Sequence, residues 1–292
     1  MPFLQLTLEI GSQDPGPFED TLFELGATAV TLEDASDDPV LEPAPGATPL
    51  WPTVKVKALF DAALDPAALG RQITARLGAA VQPQTELIGD RPWEREWLRD
   101  FRPMRFGRRL WVCPGGQPAG DPDGIQVELD PGLAFGTGTH ATTALCLEWL
   151  DRRDLSGLTV VDYGCGSGIL AIAALKLGAD QAIAIDIDPQ ALIATRENAE
   201  RNRVSARLRI GDESLLGDCR ADVLIANILA APLIELAPRL AEAVRPGGQI
   251  ALSGLLLEQA GPVATAYRAW FDIGTAEVRD GWALLGGPRR SS

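Results

Sequence analysis

The sequence predicts an α/β protein in two parts, a small α+β unit followed by a larger doubly wound sheet that is mostly parallel. Three observations predict it. The chain has 292 residues, enough for two domains of ordinary size. Its first ninety residues carry strand and helix patterns in the order βαββαβ. From about residue 102 onward, apolar strand runs alternate with helical stretches, the pattern of a parallel sheet covered by helices. Composition agrees, because 46% hydrophobic and 23% charged residues is the globular average and fits neither a disordered nor a collagen-like chain. The greasiest stretch, Val223 to Leu236, is interrupted by Asn227, Pro232 and Glu235, so no run reaches the roughly 18 apolar residues of a membrane span. No basic residue precedes Lys55, which leaves no secretory-leader pattern and makes a cytoplasmic location the expectation.

Taken in order, Leu4, Leu6, Leu8 and Ile10 alternate with Gln5, Thr7 and Glu9, the two-residue period of a half-buried strand. Residues 15 to 26 then place Phe18, Leu22, Phe23 and Leu25 at helical spacing and stop at Gly26. Ala27 to Glu33 and Thr53 to Phe60 are further strands, with a proline-rich loop between them. Pro66 suits the first turn of a helix over 65–77 and Gly78 its end, and a weaker strand follows at 84–88. Residues 1–89 therefore have the order of a ferredoxin-like domain. In RPWEREWLRDF, residues 91–101, Trp93, Trp97 and Phe101 share a helical face, which predicts a linker helix over 90–102 whose aromatic stripe lies over the catalytic domain, carries a partner or, the favoured reading, is core for the domain it docks on. Residues 103–292 form the second domain, with strands near 108–113, 125–129, 158–163, 181–186, 206–210, 221–226, 247–252, 271–278 and 280–285.

Charge is uneven along the chain. Residues 1–89 hold 13 acidic against 4 basic side chains, residues 90–109 hold 4 against 7, and the net charge is −14. An acidic front end repels phosphates, so nucleic acid is a poor partner and a basic protein a better one, with plain solubility as the bland alternative. Cys113, Cys146, Cys165 and Cys219 lie 33, 19 and 54 residues apart, which matches no zinc knuckle or disulfide framework and reads as reduced and structural. With His140 as the single histidine, a Ser-His-Asp or metal-dependent hydrolase would rest on that one residue, and no metal site is expected.

The strongest chemical signal is LTVVDYGCGSGILAIAALKLGA, residues 158–179. An apolar strand runs into Asp162, then Gly164, Gly166 and Gly168, then an apolar helix. Glycines there permit a tight turn and close approach of a ligand, and the helix start offers N–H groups to it. Gly166, Gly168 and Ala171 also fit the nicotinamide pattern GxGxxA, so the glycines alone do not choose a cofactor. Asp186, at the end of the next strand, stands where ribose hydroxyls are bound in either case. Asp162 discriminates, because a carboxylate repels a pyrophosphate but tolerates the ammonium and sulfonium of S-adenosylmethionine, although it also suits a plain cap on the turn.

DPGLAFGTGTHATT (residues 130–143), ANILAA (226–231), IDIDPQA, LSGLL and the glycine segment together resemble the PrmA family of ribosomal protein methyltransferases, and WEREW, FRPMRFG and RLWVCP extend the likeness through the linker. The resemblance implies a Rossmann-like class I methyltransferase domain behind a substrate-recognition domain. It also implies S-adenosylmethionine as methyl donor, and lysine side chains and the α-amine of ribosomal protein L11 as acceptors. It implies cofactor contacts at Thr143, Gly164, Asp186 and Asn227. At the carboxyl edge of the sheet Asn227 is placed to orient an incoming amine, Phe135 to cover the site, and Asp212 to reach an adenine edge. The plain alternatives are that Asn227 caps the following helix, Thr143 belongs to an ordinary helix turn, Phe135 is core and His140 is a structural hydrogen-bonder. A nicotinamide oxidoreductase, a scaffold that keeps the cofactor site, and a lysine methyltransferase acting on the β subunit of electron-transfer flavoprotein are the competing functions; the long acidic front end argues against the last. A monomer is expected, with no membrane partner.

Overall fold

The computed structural model describes residues 2–36, 51–78, 83–88, 102–129, 140–217 and 219–291. Contacts divide the chain into two compact units, Met1–Trp93 and Glu94–Ser292.

In the first unit, β1 (Phe3–Gly11), α1 (Gly16–Glu24), β2 (Ala29–Asp34), β3 (Val54–Asp61), α2 (Pro66–Leu77) and β4 (Gln84–Ile88) follow the expected order. The strands form one antiparallel sheet in the order β2-β3-β1-β4, the arrangement of a ferredoxin-like domain. Alternation fixes its core. Leu4, Leu6, Leu8 and Ile10 of β1 and Val54, Val56, Ala58 and Phe60 of β3 point to one side, where Phe18, Leu22, Leu69 and Ile73 of the helices cover them. Asp65 caps α2 by accepting from the Ala67 N–H at 3.0 Å, with Pro66 in the first turn. Phe23, expected on the inner stripe of α1, is instead exposed: Phe18 and Leu22 are four apart and make the buried row, while Phe23 lies about 100° further round the helix. The linker helix expected over 90–102 lies outside the described residues except for Arg102.

The second unit is built on a seven-stranded sheet of β8 (Thr159–Tyr163), β9 (Gln181–Ile185), β10 (Leu208–Gly211), β11 (Ala221–Asn227), β12 (Val244–Leu256), β13 (Glu277–Arg279) and β14 (Trp282–Pro288), in the order β10-β9-β8-β11-β12-β14-β13. The five strands from β8 to β12 pair in parallel, and β14 runs antiparallel between β12 and β13. Adjacent residues of each strand go to opposite cores, Val160, Ala182 and Ile225 to one and Val161, Ile183 and Leu224 to the other. That is why these strands read as continuous apolar runs. On the first face pack α3 (Ala141–Asp151) and α4 (Ile169–Lys176), with α5 (Pro189–Arg201) beside them; on the second pack α6 (Ala230–Glu235), α7 (Ala237–Ala243) and α8 (Ala260–Tyr267).

Two expectations need correction. The strands near 108–113 and 125–129 do not join the main sheet. As β6 (Leu110–Pro114) and β7 (Ile125–Leu129) they pair with each other in parallel and, with the unpredicted β5 (Met104–Phe106), form a separate three-stranded sheet over α4. The strand expected over 271–278 shrinks to Glu277–Arg279 and a bridge between Phe271 and Arg289, because Asp272 and Gly274 meet β14 by single N–H donations to Pro288 and Gly286 rather than by a ladder. The four cysteines are free, three of them buried, as expected. Among the described residues no helix is long and apolar enough to cross a membrane.

The turn between β5 and β6 is tied to the carboxyl end of α3. Asp151, 4% exposed, accepts from the N–H groups of Arg108 (2.6 Å) and Arg109 (3.2 Å) and from Arg109 Nε (3.3 Å). Gly107 has φ of +67°, and a Cβ there would collide with the Asp151 carboxylate. Gly107→Ala should therefore destabilise the protein by about 2–4 kcal/mol, read by urea unfolding; a change under about 0.5 kcal/mol would show that the turn tolerates the methyl group.

Candidate active site

The parallel strands β8, β9 and β11 deliver the residues of interest to one edge of the sheet, where their carboxyl ends open. From β8 the chain enters the glycine turn. Gly164 has φ of +76° and faces Ile228, whose Cγ2 occupies the space a Cβ would need. The N–H groups of Gly164 and Cys165 both donate to Ile185 O, at 2.8 and 3.0 Å, which binds the turn to the end of β9. Gly168, with φ of +78°, starts α4, and a Cβ on it would lie 2.7 Å from Thr195 Cγ2. Thr195 and Asn198, both buried on α5, hold the turn from outside: Thr195 Oγ1 donates to Gly166 O at 2.9 Å and Asn198 Nδ2 to Ser167 O at 3.0 Å. Neither was found from sequence, although polar residues three apart on a helix's inner face were a usable signal.

Asp162 is fully buried. Its Oδ2 accepts from the Ala171 N–H at 3.0 Å, so it does cap the first turn of α4, and its Oδ1 has no hydrogen-bond partner among the described residues. Burial pushes this carboxyl up to about 7, the Ala171 N–H pulls the other way, and the nearby charge of Asp186 raises it further. Expected among cofactor contacts, Asp162 has no exposed surface, and what it holds is the first turn of α4, through the Ala171 N–H. Asp186 is half-buried and splits its oxygens, with Oδ2 accepting from Gly166 N–H (2.9 Å) and Oδ1 from Asp188 N–H (3.0 Å). Each oxygen keeps a lone pair for a hydroxyl donor. Next to it Ile187 is 89% exposed, an aliphatic face at the edge that sequence reasoning passed over. Asp212 is exposed and caps a short turn by accepting from Ser214 N–H at 2.9 Å; the hydroxyl and N–H of Ser214 hold its carboxyl below the usual range.

On the other side of the turn, Asn227 ends β11 and donates from Nδ2 to Thr143 Oγ1 at 3.3 Å. Two expected site residues 84 positions apart are thereby brought into contact. Asn227 does not cap α6, which has no side-chain cap, and Thr143 is 3% exposed in the first turn of α3. With Nδ2 engaged, Asn227 Oδ1 remains as an acceptor. His140 is a structural hydrogen-bonder: it caps α3 through Nδ1, which lies 3.4 Å from Thr142 N and 2.8 Å from Thr142 Oγ1, and its ring packs edge-on against Trp282. Phe135 lies outside the described residues.

Strand order and charge together define the class. A dinucleotide-binding sheet runs 3-2-1-4-5-6, whereas here the last strand inserts antiparallel between the fifth and sixth, and two like-charged carboxylates flank the turn. This is the fold of the class I methyltransferases. A crystal structure of ribosomal protein L11 methylase from Lactobacillus delbrueckii subsp. bulgaricus, 35% identical, superposes with a TM-score of 0.60 over 65% of this chain and 100% of its own. Ribosomal protein L11 methyltransferases of Pseudomonas aeruginosa (strain LESB58) and Azotobacter vinelandii (strain DJ / ATCC BAA-1303) are each 52% identical, over 100% and 99% of this chain and the whole of theirs. The sequence model of the family described as ribosomal protein L11 methyltransferase (PrmA) matches residues 2–290, and the chain belongs to that family.

Asp162 gives the site a pH signature. Its folded-state value of about 7 exceeds the ordinary 3.8, so between those limits the native chain holds a proton that the unfolded chain has lost. Stability of the ligand-free protein falls as pH rises through that window, and this contribution is flat above it. Comparing urea unfolding at pH 4.5 and 7.5, the wild type should lose a few kcal/mol more than Asp162→Asn. Parallel pH dependences in the two proteins would mean that Asp162 is ionised throughout.

Proposed function

We propose that this chain is an S-adenosylmethionine-dependent protein methyltransferase that modifies amino groups of ribosomal protein L11, lysine side chains and the N-terminal amine among them. The observation that carries the reading is the meeting of Asn227 and Thr143 beside a glycine turn flanked by the carboxyl groups of Asp162 and Asp186. That donor set fits the cofactor: an anionic floor suits a ligand with a cationic methionine end, and Asp186 offers lone pairs to ribose hydroxyls. Gly164, Gly166 and Gly168 would bring backbone against it, Thr143 would hold its amino-acid end, and Ile187 and Asp212 would border its base. When bound, S-adenosylmethionine supplies an electrophilic methyl group.

The chain's own residues then have an orienting task. A lysine amine, with a solution pKa of about 10.4, must lose a proton before it can attack, and transfer into a water-poor site lowers that value. Asn227 Oδ1 accepts a hydrogen bond from the neutral amine, and the hold of Thr143 on Nδ2 fixes the direction in which the amine's lone pair points. Displacement at a methyl group needs alignment and exclusion of water rather than a covalent enzyme intermediate. The acidic residues 1–89 serve as the recognition domain for a basic substrate protein, and the reaction is assigned to the cytoplasm.

Incubating purified L11 with the enzyme and S-adenosylmethionine should add steps of about 14 Da, the mass of a methylene, by intact-mass spectrometry; peptide mapping then locates them on lysines and the N-terminus. An unchanged mass despite measurable cofactor binding would return the substrate to an open question. Asn227→Ala should lower the methylation rate at saturating cofactor by about 100-fold or more while weakening cofactor binding less than about tenfold. Equal losses would leave Asn227 as a cofactor contact only. Removing residues 1–89 should abolish methylation of L11 and leave cofactor affinity within about threefold, the retained affinity showing that the remaining domain is folded.

A further inference from the structure

Tyr163 closes β8 directly before Gly164, and strand alternation turns its side chain away from Asp162 into the core on the second face of the sheet, where it is 8% exposed. A phenylalanine ring would fill the same place, so the hydroxyl is the informative atom. It donates to Glu213 Oε1 at 3.0 Å, and Arg239 Nη1, from α7, meets the same oxygen at 2.6 Å. Glu213 opens the short helical turn Glu213–Leu216 that follows β10. Tyr163 pairs with Ile185 on β9, and Ile185 pairs with Gly211 on β10. The phenol therefore crosses β9 to reach a turn two strands away, a span of about 9–10 Å between backbones.

Asp212 stands between Gly211 and Glu213, and each of these neighbours is held. Gly211 O accepts from Asp186 N–H at 3.3 Å, while Glu213 is fixed by Tyr163 and Arg239. Because Ile185 and Gly211 are paired at the ends of adjacent parallel strands, Asp186 and Asp212 follow one another across the carboxyl edge, about one strand spacing apart. A nucleoside whose ribose lies on Asp186 then has its base over β10, beside Asp212. A carboxylate is an acceptor, and the donor it can read on an adenine is the 6-amino group. We propose that Tyr163, acting through Glu213, is a positioning residue that sets the turn so that Asp212 meets the 6-amino group of the base. The proposal rests on the reading of this edge as the S-adenosylmethionine site.

A comparison of two ligands on the full chain separates positioning from mere stability. Binding of S-adenosylhomocysteine and of its purine analogue, in which hydrogen replaces the 6-amino group, is measured by calorimetry, with thermal unfolding of each variant. Wild type should prefer the adenine ligand about tenfold, the worth of one hydrogen bond to a charged group. Tyr163→Phe, which keeps the ring and loses only the hydroxyl, should cut that preference to about threefold or less and leave affinity for the purine analogue within about twofold of wild type. Asp212→Ala should abolish the preference, and adding Tyr163→Phe to it should change the ratio no further, because the hydroxyl acts through that carboxylate. A tyrosine that only stabilises the fold lowers Tm, or both affinities alike, without altering their ratio. An unchanged ratio in Tyr163→Phe therefore overturns the proposal, as does a wild type that binds the two ligands equally. If Tyr163→Phe does not fold, Glu213→Ala takes its place with the same expected loss of preference. Equal binding of both ligands by the wild type leaves the functional reading standing, whereas failure to bind either one sinks that reading and the proposal together.

Discussion

Everything at the carboxyl edge of the large sheet depends on the absence of a side chain at Gly164. Its left-handed backbone turns the chain sharply out of β8, and Ile228 Cγ2 fills the volume a Cβ would claim. The same turn donates two N–H groups to Ile185 O, so the ends of β8, β9 and the residue after β11 are locked against one another by contact and hydrogen bonding. Gly254, with φ of +85°, repeats the device on β12, where a Cβ would strike the backbone of Ile228. Asn227 sits directly before Ile228. Its position next to the turn is therefore set by backbone packing rather than by any freedom of its own side chain.

The second constraint is electrostatic. A buried carboxylate without a cation is costly, and proteins usually neutralise it with a proton or a partner. Asp162 takes one backbone N–H and feels the like charge of Asp186, and burial with that charge raises its carboxyl to about 7. A pyrophosphate beside these two groups would add to the repulsion, whereas a cofactor with a cationic end would not. The charge argument and the strand order reach the same class by separate routes, since the inserted antiparallel β14 owes nothing to the carboxylates.

Much of this was legible in the chain itself. The alternation of Leu4 to Ile10, the apolar run into Asp162 and the glycine spacing gave elements whose limits the structure moves by a few residues at most. Phe23 was misplaced because a run of apolar residues at 22 and 23 does not say which of the two faces inward until the neighbouring helix is in place. Asn202 was invisible for a related reason: an asparagine just past the end of a helix resembles an exposed cap, and only the approach of β7 reveals its burial.

The sequence by itself determined the order and type of the elements in residues 1–89 and of the strand, turn and helix over 158–179, the glycine turn, and the two acidic residues that flank it. These follow from short-range rules, namely side-chain periodicity, the steric freedom of glycine and the punctuation of proline. Tertiary structure alone decided that β6 and β7 leave the main sheet, that Asp162 is sealed beneath the turn, and that Thr143 meets Asn227 across 84 residues. Those outcomes turn on which distant surfaces pack together. No local pattern encodes them, because the energy of each contact exists only once the whole core has closed around it.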